Sequence, residues 1–487
     1  MNEQNLSKKI LSGMKWKAVE RVFLQIVNAV TPIVLARILT PDDFGIIAIL
    51  SVFISIAHTL VHNGLGNAII QKKDSDDIDA STVFYAQLAI SFICYFVLYF
   101  SAPYIAKFYN NSDLTVMLRV MSISLVIGAL GAMQVTILKK KMLFNKSFIS
   151  TGLSTVAYGA VGIGCAYLKF GAWSLVYANI AQSTVLSLSS IIVIKWLPKL
   201  EFSFNRLKQL FAFSWKLTVG WLIGTIHQDL YTLVVGKRFS NAILGYYNRA
   251  LSFPHIFSKT ITEVVDGVMF PALSTIQDDK EQLRQMTRKL MSVNAFVIFP
   301  VFLGLSAVAK PLVILLLTKK WLPSVPMMQI MCVTLALNSL NNSNMQVFNS
   351  MGRSDIFMKF EMIKRSISIG LLIVASFISI YAVILVLLCM AILSNMMNAY
   401  QNNKLLGYKY SQIIRDVLPS FITAIIMALI TYFVGILLEK LNLHYVAILA
   451  IQLSVGALVY VIIAYLAKIE SLTDVIGIIK GIIKKKK

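Results

Sequence analysis

A chain of 487 residues with 57% hydrophobic and 14% charged residues is not an ordinary soluble globular protein, and its apolar residues come in blocks of about 20. The formal net charge of +23 would suggest nucleic acid in a soluble chain. Here most cations lie in short segments between apolar blocks, where they set topology and meet anionic membrane lipids, so a nucleic-acid partner is excluded.

The apolar blocks predict spans near 18–39, 44–70, 81–102, 117–138, 148–168, 172–194, 213–235, 246–271, 290–317, 325–350, 366–381, 383–403, 417–438 and 444–467. The fold class is therefore an all-α polytopic membrane protein of about fourteen transmembrane helices. Lys8, Lys9, Lys15 and Lys17 precede the first span without a small-residue cleavage pattern, so that span reads as a retained helix. The run 366–403 would extend about 57 Å as one helix, beyond a bilayer, and a tight hairpin is expected near 379–381. With the N-terminus cytoplasmic, most of the 45 Lys and Arg fall on the inner side, including Lys72, Lys73, Arg206, Arg288 and the lysines at 484–487. That bias puts both termini inside. No loop has room for a soluble domain. Cys94, Cys165, Cys332 and Cys389 lie in apolar blocks without metal spacing, so neither a disulfide framework nor a metal site is expected.

The chain repeats. Trp16-Lys17 opens the first span as Trp215-Lys216 opens the seventh, and LARILTPDDFG (35–45) is echoed by VGKRFSNAILG (235–245), with Gly45 and Gly245 at the same turn. Met133-Gln134-Val135 recurs as Met345-Gln346-Val347, and Phe144 and Lys146 as Phe357 and Lys359. The expected organisation is a six-helix lobe over 1–200, a second over 201–410 in parallel pseudo-twofold repeat, and two further helices with a basic tail over 411–487. Transporters with parallel repeats place substrate where the halves meet.

The stretch 213–276 carries Asp229, Arg249, Lys259, Glu263 and Asp266 at bilayer depth. Ionised groups there cost at least ~2.5 kcal/mol each and persist where they face protein or a water-filled cavity. Arg249, Ser252, Lys259, Glu263 and Asp266 fall three, four or seven residues apart, so a helix stacks them on one face. Further polar stripes are Arg21, Gln25, Asn28 and Pro32 in the first span; Ser51, Ser55, His58 and His62 in the second; and Thr218, Thr225, Asp229 and Thr232 in the seventh, with His227 beside them. The functional reading assigns Lys259, Arg249, Arg21, His255, Gln25 and Asn28 to an anionic substrate. It assigns Asp229, Glu263, Asp266 and His227 to a coupling ion, H+ or Na+, with no other cofactor. Bland readings stand beside it. Arg21, Glu20 and Lys216 could snorkel at the rim, Asp229 and Arg249 could form a structural ion pair, and Lys259 and Glu263 could neutralise one another. Asn338, Asn341, Asn342, Asn344 and Asn349 suit inter-helix hydrogen bonds better than a sugar site.

The segment from Asp229 through Gly236, LGYYNRA (244–250), FPALSTIQDD (270–279), Leu283-Arg284, LARILTPDDFG (35–45) and GLGNAIIQKK (64–73) resemble the polysaccharide exporters of the MOP superfamily. Within it they resemble the lipopolysaccharide and colanic or teichuronic acid flippases. The resemblance covers essentially the whole chain. It implies a two-lobed, fourteen-helix flippase of the bacterial cytoplasmic membrane that moves undecaprenyl-pyrophosphate-linked oligosaccharide outward by alternating access. Ion-gradient coupling, a monomer, and contact with polysaccharide polymerase and chain-length machinery are further expectations. In related cell-wall precursor flippases a cationic cavity is lined by helices 1, 2, 7 and 8, matching the stripes, although those flippases' cavity arginines have no one-to-one match here. FPALSTIQDD is expected to serve the cytoplasmic end of the eighth helix. A drug or cation antiporter of the same superfamily would share the two-lobe plan, usually with twelve helices. A membrane glycosyltransferase or polymerase is disfavoured by the short outer loops, and Asp42-Asp43 then reads as a turn and helix start, leaving no catalytic residue.

Overall fold

The computed structural model describes residues 3–62 and 64–484, and within these the side chains of 3–15, 264, 266, 268, 354–357 and 478–484 lie outside the described set. Asp266, Phe357 and the topogenic lysines Lys8, Lys9, Lys15, Lys480 and those at 484–487 thus fall outside the described side chains. Every regular element among the described residues is helical. In order they are α1 (Glu3–Ile38), α2 (Pro41–His62), α3 (Leu65–Gln71), α4 (Asp77–Tyr109), α5 (Asp113–Lys140), α6 (Phe144–Tyr167), α7 (Trp173–Ile194), α8 (Phe204–Arg238) and α9 (Asn241–Ser274). There follow α10 (Lys280–Ala307), α11 (Ala309–Leu317), a 3-10 turn (Lys319–Trp321), α12 (Ser324–Ser350), α13 (Ser354–Ser376), α14 (Ile380–Leu406), α15 (Tyr410–Lys440), α16 (Tyr445–Leu466) and α17 (Glu470–Lys484).

Ten candidate spans among the described residues are long and apolar enough to cross a membrane, and the protein is an all-helical multi-pass membrane protein. Large apolar side chains such as Phe96, Phe100, Leu188, Ile192, Phe433 and Leu437 are exposed along these helices, an outward surface suited to lipid tails and not to water. α8, α9, α12 and α13 are outside the ten, although they have 35, 34, 27 and 23 residues. Charged side chains in α8, α9 and α13, and asparagines in α12, lower their apolarity.

Two expected spans contain breaks. The block 44–70 is divided into α2 and α3, where Gly64 lies so close to α8 that a Cβ would sit 2.2 Å from the Thr218 hydroxyl. The block 290–317 divides at Val308, three residues before Pro311, whose ring opposes an unbroken helix. The hairpin expected in 366–403 is present, with its turn at 377–379, and the Ser379 hydroxyl caps α14 by accepting from the Ala382 amide at 3.1 Å.

Contacts gather the chain into two compact units, Met1–Gly245 and Tyr246–Lys487. In the first, α1 packs on α6, α5 on α4 and α7, and α8 on α2, α3 and α4. Here the first turns of α2 and α9 cross reciprocally. A Cβ on Gly45 would lie 1.9 Å from the Asn241 carbonyl oxygen, and one on Gly245 would lie 2.0 Å from that of Pro41. Positions 41 and 241, and 45 and 245, thus exchange roles about a local two-fold, and the sequence echo at the two glycines becomes a backbone-to-backbone contact that no side chain would permit. In the second unit α10 packs on α12 and α15, α12 on α14, α15 on α16, and α17 on α10.

Candidate functional site

The polar stripes of α2 and α8 meet. The Ser55 hydroxyl donates to the Asp229 carboxylate at 2.5 Å, and the Thr59 and Thr225 hydroxyls lie 3.3 Å apart one turn along. With Thr218 packed against Gly64, these two contacts make a polar seam. His58 and His62 stack with ring centroids 4.0 Å apart, and His62 faces Gly128 of α5. His227 is half-buried on α8. Part of what the sequence offered as cavity wall therefore packs helix on helix.

On α1, Arg21, Gln25 and Asn28 are exposed on one stripe. The neighbouring Glu20 is buried and does structural work. It accepts from Lys17 at 2.7 Å and from Thr151 of α6 at 3.0 Å, beside the Trp16, Phe23 and Phe148 ring contacts.

On α9 the candidates separate. Arg249 is buried, with its guanidinium 5.6 Å above the Trp321 ring, a cation–π arrangement. His255, Lys259 and Glu263 are exposed, and Lys259 joins no ion pair among the described residues. The neighbouring face of the same helix is anchored by Ser258 to Ser339 at 3.3 Å and by Thr262, which accepts from Asn342 at 3.4 Å. α9 thus sets neutral polar side chains against α12 beside the exposed His255, Lys259 and Glu263.

Of the five asparagines singled out in α12, Asn341, Asn342 and Asn344 make inter-helix hydrogen bonds. Asn398 donates to Asn341 at 2.7 Å, Asn402 to Asn344 at 2.8 Å, and Asn294 of α10 to Ser343 at 2.5 Å, all within the second unit. This ladder is packing.

Two charged clusters lie near helix ends. Asp76 and Asp79 form a capping box at the start of α4. Lys72 binds Asp79 at 2.6 Å, Arg206 binds both acids, and the 195–203 linker is pinned by Lys199 and Ser203 amides donating to Ser81 and Thr82. The Arg206 guanidinium, aided by the Asp79 amide, pulls the Asp76 carboxyl down to about 2 and is itself held more firmly protonated. The signal for this clasp in the sequence is the acidic run DSDDID (74–79), which faces Arg206. In the second unit Arg288 grips Asp416 with two bonds of 2.8 Å, and Tyr408 donates to the same carboxylate at 2.8 Å.

Asp43 caps α2, accepting from the Thr40 amide at 2.8 Å and its hydroxyl at 2.7 Å, the turn and helix start expected there. Asp279 likewise caps α10 through the Glu281 and Gln282 amides at 3.0 Å, so the FPALSTIQDD segment ends one helix and begins the next.

Residues 34–326 match the model of a family described as polysaccharide biosynthesis protein. The chain is 27% identical over 443 residues to the lipopolysaccharide biosynthesis protein WzxC of Escherichia coli (strain K12), covering 89% of each chain. Among solved structures it resembles the lipid II flippase MurJ in an inward closed conformation, with a TM-score of 0.73 at 14% identity, over 92% of this chain and 98% of that one. It also resembles an inward-facing multidrug resistance MATE family transporter of the MOP superfamily, with a TM-score of 0.55 at 14% identity, over 78% of this chain and 95% of that one. At those identities the two structures establish the shared fold alone. Sequence and fold converge, and the chain belongs to the polysaccharide biosynthesis protein family.

Proposed function

We propose that this protein is a flippase that carries undecaprenyl-pyrophosphate-linked oligosaccharide repeat units from the cytoplasmic to the outer leaflet of a bacterial cytoplasmic membrane by alternating access. In this reading α8, α9, α12 and α13 complete fourteen spans, and both termini are cytoplasmic. The observation that carries it is the exposed charged side of α9. Lys259 lies 15 residues or more from either end of that helix, close to its midpoint, so with α9 centred in the bilayer the lysine is about 13 Å below either edge of the hydrocarbon core, too deep for its side chain to reach the surface. A cation there needs a water-filled wall, and a positive wall suits a pyrophosphate-bearing cargo. The name of the WzxC relative supports an envelope saccharide as that cargo.

Lys259 and His255, with Arg21, Gln25 and Asn28 on α1, are the groups assigned to substrate, and Arg249 adds positive potential from its buried place. Asp229, Glu263 and His227 are assigned to H+ or Na+ coupling. The shared fold with the MATE transporter favours a second reading, a drug or cation antiporter. An exposed lysine in the cavity disfavours cationic cargo, since like charges repel in a low dielectric. The experiment is complementation with Lys259→Ala and Lys259→Arg. Full membrane insertion with export lost in the first and largely kept in the second supports the reading. Normal export by the alanine variant removes Lys259 from it, and cationic-drug efflux by the native protein would favour the antiporter.

A further inference from the structure

We propose that α17, with the lysines at 484–487, is an interfacial anchor that lies on an anionic phospholipid surface. The helix starts only three residues after α16 ends, so its beginning is held at the surface of the bilayer that α16 crosses. At 15 residues it is about 22 Å long, too short to span. Its sequence puts Leu472, Val475, Ile476, Ile479, Ile482 and Ile483 on one stripe, and Thr473, Gly477, Lys480 and Lys484 on the opposite one. This is the pattern of a helix lying in the interface plane.

Among the described side chains of α17, Lys289 of α10 pairs with Asp474 at 2.7 Å and Ser471 is buried, but Ile476 remains 42% exposed. Charge separates along the same axis. Asp474 is matched by Lys289, and Glu470 lies in the first turn, where the helix dipole favours an anion. The five lysines from 480 onward have no acid among them in sequence. A basic cluster that close to a membrane span complements anionic head groups, while a second copy of the same segment would repel it.

The test is amide hydrogen exchange of the full-length protein in single-copy nanodiscs of phosphatidylcholine alone or mixed with phosphatidylglycerol. Exchange over 475–484 is expected to slow several-fold in the anionic discs. Replacing Lys480 and the lysines at 484–487 by Gln should abolish that difference, and Ile476→Glu should raise exchange in both lipids. Equal exchange in both lipids overturns the proposal. So does protection independent of lipid and lysine, which would mean that protein covers the face, and so does a lipid effect that survives the Gln substitutions.

Discussion

Along the α2–α8 seam polar side chains meet in pairs: Ser55 reaches Asp229 at 2.5 Å and Thr59 faces Thr225 at 3.3 Å. Along α9, His255 and Lys259 are exposed, while Ser258 and Thr262 on the neighbouring face bond to α12. Both are polar stripes at helical spacing within segments of membrane-spanning length. The difference lies in what stands opposite. A polar group matched across two helices is glue, whereas an exposed charge at bilayer depth requires water. Function is therefore sought on α9 and the open side of α1, and stability in the seam and the asparagine ladder.

The bluntest way to break this contrast is to remove the scaffold beneath it. Gly45→Leu or Gly245→Leu forces side-chain atoms into a carbonyl that a bare Cβ would already approach within 2.0 Å or less. Both variants should fail to yield folded protein in detergent, as size-exclusion profiles would reveal; well-folded, active variants would mean the crossing is loose. Asp229 offers a sharper cut. Asp229→Ala removes the bond between α2 and α8, leaving the Ser55 hydroxyl the Val52 carbonyl at 2.9 Å, and should cost about 1 kcal/mol of thermal stability, while Asp229→Asn keeps an acceptor and should not. If Asp229 also couples an ion, the Asn variant keeps its melting temperature and loses ion-dependent transport. Retention of both confines Asp229 to packing.

For the ladder, a double-mutant cycle of Asn341→Ala and Asn398→Ala should give a coupling of about 0.6 kcal/mol in unfolding, with transport preserved. Additive losses would show that their 2.7 Å bond contributes nothing. The smallest effect concerns pH. The Asp76 carboxyl is lowered from 3.8 to about 2, chiefly by its hydrogen bond from Arg206. Its contribution is thus fully present above about 4 and lost as pH falls through about 2. Because both side chains are substantially solvated, the change should be slight. Arg206→Ala should flatten that part of the stability profile, and an unchanged profile would exclude the clasp as its source.

Much of the architecture was legible. Apolar blocks located the ten candidate spans, the excess length of 366–403 demanded the turn found at 377–379, and the Gly45 and Gly245 echo marked a contact that is symmetric in space. The break between α2 and α3 was not legible, and the close approach of Thr218 to Gly64 beside it is a tertiary fact. The site was legible by stripe but not by partner. Periodicity gathers Ser55 and Asp229 each onto a helix face, and only the fold turns those faces together. It also groups Arg249 with Lys259, although the first is buried against Trp321 and the second exposed. The asparagines were better predicted, since amides inside apolar helices have few other ways to be satisfied.

The most direct test of the flippase is the leaflet distribution of lipid-linked oligosaccharide in cells lacking this protein. The account predicts complete repeat units accumulating on the cytoplasmic leaflet, relieved by the native chain and not by Lys259→Ala. Unpolymerised units accumulating on the outer leaflet would contradict it and would place the protein's action after translocation.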